Sequence, residues 1–245
     1  MKCTFNVPSS LVDKPGHLSA DEIVELHNRG HEIAVHCARH QAPGQIRAIE
    51  GIQEVMQNRI DLEKILGGIV RGMAYPNSGV RKLQRGVSYD TIKNYLQSLD
   101  IAYARTLGGD NDMFPIPDDW YLWMPTAHHN NPKIFEYIDK FVEFSADNAY
   151  YGAKGALLFY IWGHSFEFER QNNWERIERI CEKLGDKDDI YYATNIEIYD
   201  YVNAYYSLVF SADGKTVYNP TLFEIWFECD GTLYCIASGE TLKIL

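Results

Sequence analysis

The sequence predicts an α/β fold: parallel βα units over residues 1–206, followed by a small antiparallel β appendage over residues 207–245. Three observations carry this reading. Short β-prone runs alternate with stretches of helical periodicity through the first part, which is the signature of βα units in an open or closed parallel sheet. From Ser207 onward the pattern changes to alternating strands separated by Asp213-Gly214 and Asp230-Gly231, dipeptides that favour hairpin turns. The length of 245 residues suits one large domain or two small ones.

The elements follow in order. Cys3 to Val7 is β-prone and is stopped by Pro8. Ser19-Ala20-Asp21-Glu22 forms a capping box, with Ser19 as N-cap and Glu22 reaching back to it. Ile23 and Leu26 supply that helix's buried stripe, and Gly30 is placed to end it. Glu32 to His36 suits a buried strand. A longer helical pattern has Ile49, Ile52, Val55, Met56 and Ile60 as its apolar stripe and closes at Gly67-Gly68. Ile69 to Tyr75 reads as a strand ended by Pro76-Asn77, Ser88 caps a helix running through Leu96, and Ile101 to Arg105 is the next strand.

Residues 106–131, rich in Gly, Asp, Pro and aromatics without a period, form a long loop of the kind that carries function. A helix from about Pro132 to Ala146 begins with a proline where the missing N–H costs nothing. Leu157 to Trp162 is the most hydrophobic strand of the chain. A helix over Glu175 to Leu184, a strand over Ile190 to Ala193 and a helix over Ile196 to Tyr206 complete the first part.

Composition narrows the function classes. With 46% apolar and 23% charged residues, disordered and fibrous architectures are excluded. A net charge of −11 repels phosphate backbones, so no nucleic-acid partner is expected. No apolar run approaches the ~20 residues a membrane helix needs, so no membrane partner is expected either. The five cysteines form no CxxC pair, which argues against a disulfide framework and a cysteine-only zinc site. Together with the lack of a basic and apolar leader, this makes a cytoplasmic location the expectation. Seventeen Tyr, 11 Phe and 5 Trp suit a protein that handles sugars or small molecules.

Histidines stand where strands hand over to loops. His36-Cys37-Ala38-Arg39-His40 follows a buried strand, and in parallel α/β folds the carboxyl ends of strands gather ligands and catalytic groups. Histidines four apart converge on one metal if the segment turns helically; the alternative is a pair of loop or capping histidines. His164, after Trp162-Gly163, is placed either as a general acid or base or simply to satisfy a strand terminus. Tyr75 ends another strand. The long loop adds Asp118-Asp119-Trp120 and the adjacent His128 and His129, of which an extended backbone can turn only one inward.

At these positions the chain resembles the polysaccharide deacetylase family, metal-dependent hydrolases with an irregular (β/α) barrel. Gly30-His31-Glu32-Ile33-Ala34-Val35-His36-Cys37-Ala38-Arg39-His40 is similar to that family's second motif, Ala74-Tyr75-Pro76 stands at the place of its third, and Trp162-Gly163-His164 at the place of its last. The resemblance covers most of residues 1–206 and leaves the β appendage outside. It implies a divalent metal, zinc in the first instance, on His36 and His40, with His164 as the general acid and Tyr75, Trp120 and His128 against the substrate. The implied reaction is removal of N- or O-acetyl groups from a carbohydrate, or hydrolysis of a related small amide.

Two departures qualify that implication. The family's T-F-D-D-G-like strand, which supplies the base and the third metal ligand, is absent, so the barrel is expected to lack its first βα unit and to have little or no activity. His128 or Asp118 is the candidate replacement ligand. The family's third-motif arginine aligns with Ala74, and Arg71, three residues earlier, falls on the other face of the strand. A non-catalytic carbohydrate-binding or scaffold protein that retains the fold is the alternative expectation. A third is a reading frame whose true start lies upstream, with an Asp-Asp-Gly before Met1.

Overall fold

The computed structural model describes residues 1–77, 79–108, 110–147 and 156–244; of the loop expected over 106–131, residue 109 lies outside the described residues. The chain divides into two compact units, Met1–Thr194 and Asn195–Leu245.

In the first unit, β1 (Thr4–Val7), β2 (Glu32–Val35), β3 (Gly72–Ala74) and β4 (Tyr103–Arg105) form a four-stranded sheet in that order. All neighbours in it run parallel. A single parallel bridge joins Arg105 to Trp123. Just beyond it, β5 (Ala127–His128) pairs in parallel with β6 (Ile161–Trp162). These are short parallel sheets in a mixed α/β architecture. Because neighbouring strands run parallel, the residues following β2, β3 and β4 leave the sheet at one edge.

The helices are α1 (Ala20–Asn28), α2 (Ala48–Leu66), α3 (Tyr89–Ser98), α4 (Ile134–Asp147), α5 (Ser165–Gln171) and α6 (Glu175–Leu184). Their ends obey local chemistry. Ser19 Oγ accepts from Glu22 N at 3.2 Å while the Glu22 carboxylate accepts from Ser19 N at 2.8 Å, closing the expected capping box of α1. Ser88 caps α3 through Thr91 N at 3.1 Å. Gly67, at φ 64°, ends α2 in the left-handed region that glycine tolerates.

Ile23, Val35, Val55, Leu62, Met73, Ile92 and Leu96 form the core between the four-stranded sheet and α1–α3. A second cluster joins Phe114 and Ala127 to Ile134 and Ile138 of α4 and to Ile180 and Leu184 of α6. Buried Glu32 ties strands together: its Oε1 accepts from Tyr103 Oη at 2.7 Å and its Oε2 from Thr4 Oγ1 at 2.8 Å. Gly72 leaves the room this needs, since a Cβ there would collide with the Glu32 carboxylate and the Tyr103 hydroxyl.

Several sequence expectations are corrected. The apolar stripe of α2 is not Ile49, Ile52, Val55, Met56 and Ile60 together, because Ile49, Met56 and Ile60 are exposed. The helix instead turns Gly51, Glu54, Val55, Asn58 and Leu62 inward. Periodicity assigns polar residues to solvent, whereas here Glu54 and Asn58 are drawn in by hydrogen bonds that satisfy them. The strand expected over Leu157 to Trp162 shortens to β6 and is half-buried. The segment Ile190 to Ala193 adopts no strand. The long loop contains β5 and a short 3-10 turn over Trp120–Leu122, and α5 arises directly after His164. Among the described residues no helix is long and apolar enough to cross a membrane.

In the second unit, α7 (Asn195–Tyr206) precedes β7 (Val209–Phe210), β8 (Thr216–Tyr218), β9 (Ile225–Cys229), β10 (Thr232–Ile236) and β11 (Thr241–Lys243). β11, β8 and β7 form one antiparallel sheet, and β9 and β10 form a hairpin. Asp230 at φ 50° and Gly231 at φ 80° make the tight turn of that hairpin, both residues left-handed as a type I′ turn requires. Ala204, Val217, Ile225, Phe227 and Ile236 form its core. Buried Asn219 braces it, with Nδ2 donating to Phe223 O at 2.7 Å and Oδ1 accepting from Thr221 N at 3.0 Å.

Candidate metal-binding and acid–base site

The His36–His40 turn leaves β2 and is held from behind by α2. His36 N donates to Asn58 Oδ1 at 2.8 Å, and Asn58 Nδ2 donates to Val7 O at 3.0 Å. One helical turn earlier, Glu54, only 1% exposed, accepts Arg39 N at 2.7 Å on its carboxylate and Ala38 N at 3.0 Å on its carbonyl. The Arg39 guanidinium also donates to that carboxylate. Glu54 and Asn58 are four apart and so share one face of α2. Their grip matters because Cys37 (φ 57°) and His40 (φ 59°) occupy the left-handed region, which non-glycine residues adopt at a cost.

The turn brings the His36 and His40 rings to a centroid separation of 4.8 Å, edge to face. His36 Nδ1 lies 2.8 Å from Ala74 O, and a carbonyl can only accept, so Nδ1 carries the proton and Nε2 presents a lone pair. Burial drives the His36 pKa down to about 3, with His40, Arg105 and His164 adding to the fall and the Ala74 bond opposing it. Burial, reinforced by His164, also lowers His40. Both rings are therefore neutral at pH 7, the form in which imidazole binds a divalent cation. This donor set fits a metal ion.

A second cluster forms at the ends of β5 and β6. Glu167, in the first turn of α5, accepts from His129 Nε2 at 2.6 Å and from His164 N at 3.2 Å. His128 Nε2 stands 3.2 Å from the same oxygen, and His164 Nδ1 is 3.4 Å from the other. Burial pushes the Glu167 carboxyl up, but the His129 and His164 N–H bonds, with the His128 and His164 charges, hold it below its ordinary value. His128 and His129 are lowered, mainly by burial, with Glu167 opposing. A methyl at Gly163 would overlap the His129 ring, so only glycine admits this packing.

Among the described residues, His128, His164 and Glu167 are the group of three whose ligating atoms lie within 4.8 Å of one another. Tautomers separate it from the first pair. Asn130 N donates to His128 Nδ1 at 3.1 Å, so that nitrogen is an acceptor and the proton sits on Nε2, facing Glu167. His128 thus turns its N–H toward the carboxylate, 3.2 Å away, whereas His36 keeps an Nε2 lone pair free. Arg105, at the end of β4, stacks its guanidinium 4.7 Å from the Trp162 ring, and its charge reaches both His36 and His128.

The sequence-derived candidates are thus placed as follows. His36, His40 and His164 lie within electrostatic reach of one another, and His128 joins them through Glu167. An open cavity of about 410 Å³ beside His128 is bordered by Asp110, Asn130, Asn131 and Lys133. Trp120 is half-buried, with its ring 5.0 Å from Trp123. Tyr75 has its ring in the core at 1% exposure, and Asp118 is exposed. Glu54, Asn58, Arg105 and Glu167 were not among the candidates. Only Glu167 left a local signal, since it follows His164 at the spacing of a helix-capping acid.

Residues 1–103 match a family described as polysaccharide deacetylase. No curated protein matches the sequence. The chain is similar to a deacetylase from Streptococcus pyogenes solved with acetate, at 20% identity over 44% of this chain and 46% of that one, TM-score 0.40. It is similar to a polysaccharide deacetylase from Bacillus cereus at 26% identity over 43% and 30%, TM-score 0.35. A Xyl-CE4 domain of a multidomain xylanase from the hindgut metagenome of Trinervitermes trinervoides is similar at 14% identity over 83% and 78%, TM-score 0.45. The matches to the first two thus span less than half of those chains.

Proposed function

We propose, from the premise that residues 1–103 of this chain belong to the polysaccharide deacetylase family, that the protein is a metal-dependent carbohydrate deacetylase acting on N- or O-acetyl groups. The carrying observation is the pair of neutral imidazoles, His36 with a free Nε2, within electrostatic reach of a histidine that faces a carboxylate. The fold proposed is an irregular (β/α) barrel, to which β1 to β6 contribute an arc.

His36 and His40 would hold the divalent cation, zinc in the first instance, and the Ala74 carbonyl fixes the His36 tautomer as outer-shell acceptors do. When bound, such a cation polarises an acyl carbonyl and lowers the pKa of a water. His164, exposed, with Nδ1 toward Glu167, is the general acid that hands a proton to the departing amine or alkoxide. Glu167, 3.4 Å from that Nδ1, orients the ring. Trp120 and His128 border the sugar, while Tyr75 supports the wall from the core.

A proton-accepting carboxylate is the weak point. Glu167 faces three histidine rings and is committed to them, so the turnover expected of the chain is low. That same engagement favours a second reading, a carbohydrate-binding protein that retains the site without hydrolysis.

The test is zinc content together with acetate release from acetylated chito-oligosaccharides. His36→Ala should abolish metal binding, whereas His164→Ala should spare the metal and remove turnover. Metal content unchanged in both variants would contradict the assignment. Bound metal without any turnover in the unsubstituted chain would favour the binding reading.

A further inference from the structure

Four of the five tryptophans are engaged. Trp120 packs on Trp123, Trp123 also meets Tyr103, Trp162 lies against the Arg105 guanidinium, and Trp174 donates its Nε1 to Glu169. Trp226, in β9 of the second unit, differs. It is 51% exposed, and among the described residues its ring meets no other ring and no cation, and its Nε1 has no hydrogen-bond partner.

The pleat of the strand explains that exposure. Ile225 and Phe227 turn into the core of the unit, so Trp226 between them turns outward. By register Trp226 stands opposite Cys235 of β10, and Leu233, 65% exposed, stands opposite Glu228 on the same face. Glu224 joins them, because its carboxylate accepts from the Cys235 thiol. An indole and a leucine are thus presented together among carboxylates, which is more than a singly exposed apolar side chain.

The charge around this face has one sign. From Thr216 to Leu242 the chain carries Glu224, Glu228, Asp230 and Glu240 and no Lys or Arg. The second unit has seven Asp and Glu against two Lys, a net of −5 in 51 residues. The first has 27 acidic residues against 21 basic ones, a net of −6 in 194. A second copy of this chain would bring the same negative charge to the contact and is opposed. The face suits a partner that offers both positive charge and a flat apolar surface.

We propose that the outer face of the β9–β10 hairpin binds an amino glycan, a glucosamine-type oligosaccharide, with a sugar ring on Trp226 and ammonium groups toward Glu224 and Glu228. The C–H face of a pyranose ring is apolar and lies flat on an indole, and an ammonium beside it gains from both the ring and the carboxylates. The choice of a glycan over a basic peptide rests on the deacetylase reading: removal of an N-acetyl group leaves an ammonium on the sugar, so this face would hold the product chain.

The test is titration of the full, isotope-labelled chain with a glucosamine hexamer in mildly acidic buffer, where the sugar amines are protonated. The N-acetylated hexamer and hexalysine are the comparisons. NMR follows the Trp226 indole N–H signal, identified by its absence in Trp226→Phe, and calorimetry gives the affinities. The glucosamine hexamer should bind saturably and move that signal, and its N-acetylated counterpart should bind several-fold more weakly. Trp226→Ala should weaken binding roughly 5- to 30-fold, the worth of a stacked ring with a cation beside it. Trp226→Phe should retain part of it. Joint Glu224→Gln and Glu228→Gln should remove the preference for free amines.

An unmoved Trp226 signal, or equal affinity in a folded Trp226→Ala, overturns the proposal. So does equal binding of the N-acetylated hexamer, which makes the face a neutral-sugar site, or tighter binding of hexalysine, which makes it a peptide site. A Trp226 signal that instead moves with protein concentration would assign the face to a second copy and overturn it too. If Trp226→Ala does not fold, Trp226→Phe and the signal in the unsubstituted chain decide. His36→Ala should bind the glucosamine hexamer unchanged; loss of metal or turnover in that variant bears on the deacetylase reading alone.

Discussion

Two histidine pairs stand at the strand ends, and they differ in where their carboxylate lies. Behind the His36–His40 turn, Glu54 binds the Arg39 backbone and guanidinium and leaves both imidazoles alone. At His128–His129, Glu167 faces the rings themselves, accepting from His129 Nε2 at 2.6 Å and standing 3.2 Å from His128 Nε2. Equal residue types thus give opposite capacities. A carboxylate that braces the backbone leaves the imidazole nitrogens available to a cation, whereas one that faces the rings turns their N–H groups toward itself. The lesson is that the partner of the second nitrogen, more than the presence of histidine, decides what an imidazole can bind.

The largest expected effect comes from removing the brace. Glu54→Ala strips a fully buried carboxylate from two donors and frees the left-handed turn, which should cost about 2–3 kcal/mol in chemical denaturation. It should also weaken zinc binding, with Glu54→Gln recovering part of both. In the other cluster, Gly163→Ala forces His129 away from Glu167 and should cost roughly 1–3 kcal/mol, as overpacking does, while leaving zinc affinity unchanged. If the two substitutions affect metal equally, the division of labour between the pairs is wrong.

Acid should expose the same contrast. Folded His36 stays neutral to about pH 3, whereas an unfolded histidine takes up its proton near 6.5. Between those values the unfolded chain binds more protons, so stability rises with pH. The contribution is complete above about pH 6.5 and is lost as pH falls toward 3. The unfolding midpoint measured from pH 7 to pH 4.5 should therefore drop less steeply in His36→Gln. The smallest effect belongs to the second unit, where Gly231→Ala strains a left-handed turn position. It should cost about 1 kcal/mol of that unit's stability without altering metal content.

Much of this arrangement was legible in the sequence wherever a local rule decides it. The Ser19–Glu22 box, the Ser88 cap, the Gly67 stop and the Asp230-Gly231 turn each depend on a few neighbouring residues. The position of His36 and His40 after a buried strand was equally visible. What escaped is what tertiary contact decides. Glu54 and Asn58 read as the solvent face of α2, because periodicity counts a polar residue as exposed until its buried partner is known. Arg105 reads as the end of a strand, and the lack of a partner for its guanidinium is a property of everything packed around it. Glu167 lies near His164 in sequence, yet its hold on His128 and His129 requires β5 and β6 to pair first.

The central claim is that a cation belongs on His36 and His40 and not on His128, His164 and Glu167. Zinc titration of the full chain carrying His36→Ala, set beside the chain carrying Glu167→Gln, tests it most directly. The account predicts loss of zinc binding in His36→Ala and unchanged affinity in Glu167→Gln. Retained binding in His36→Ala with loss in Glu167→Gln would contradict it and move the metal to the second cluster.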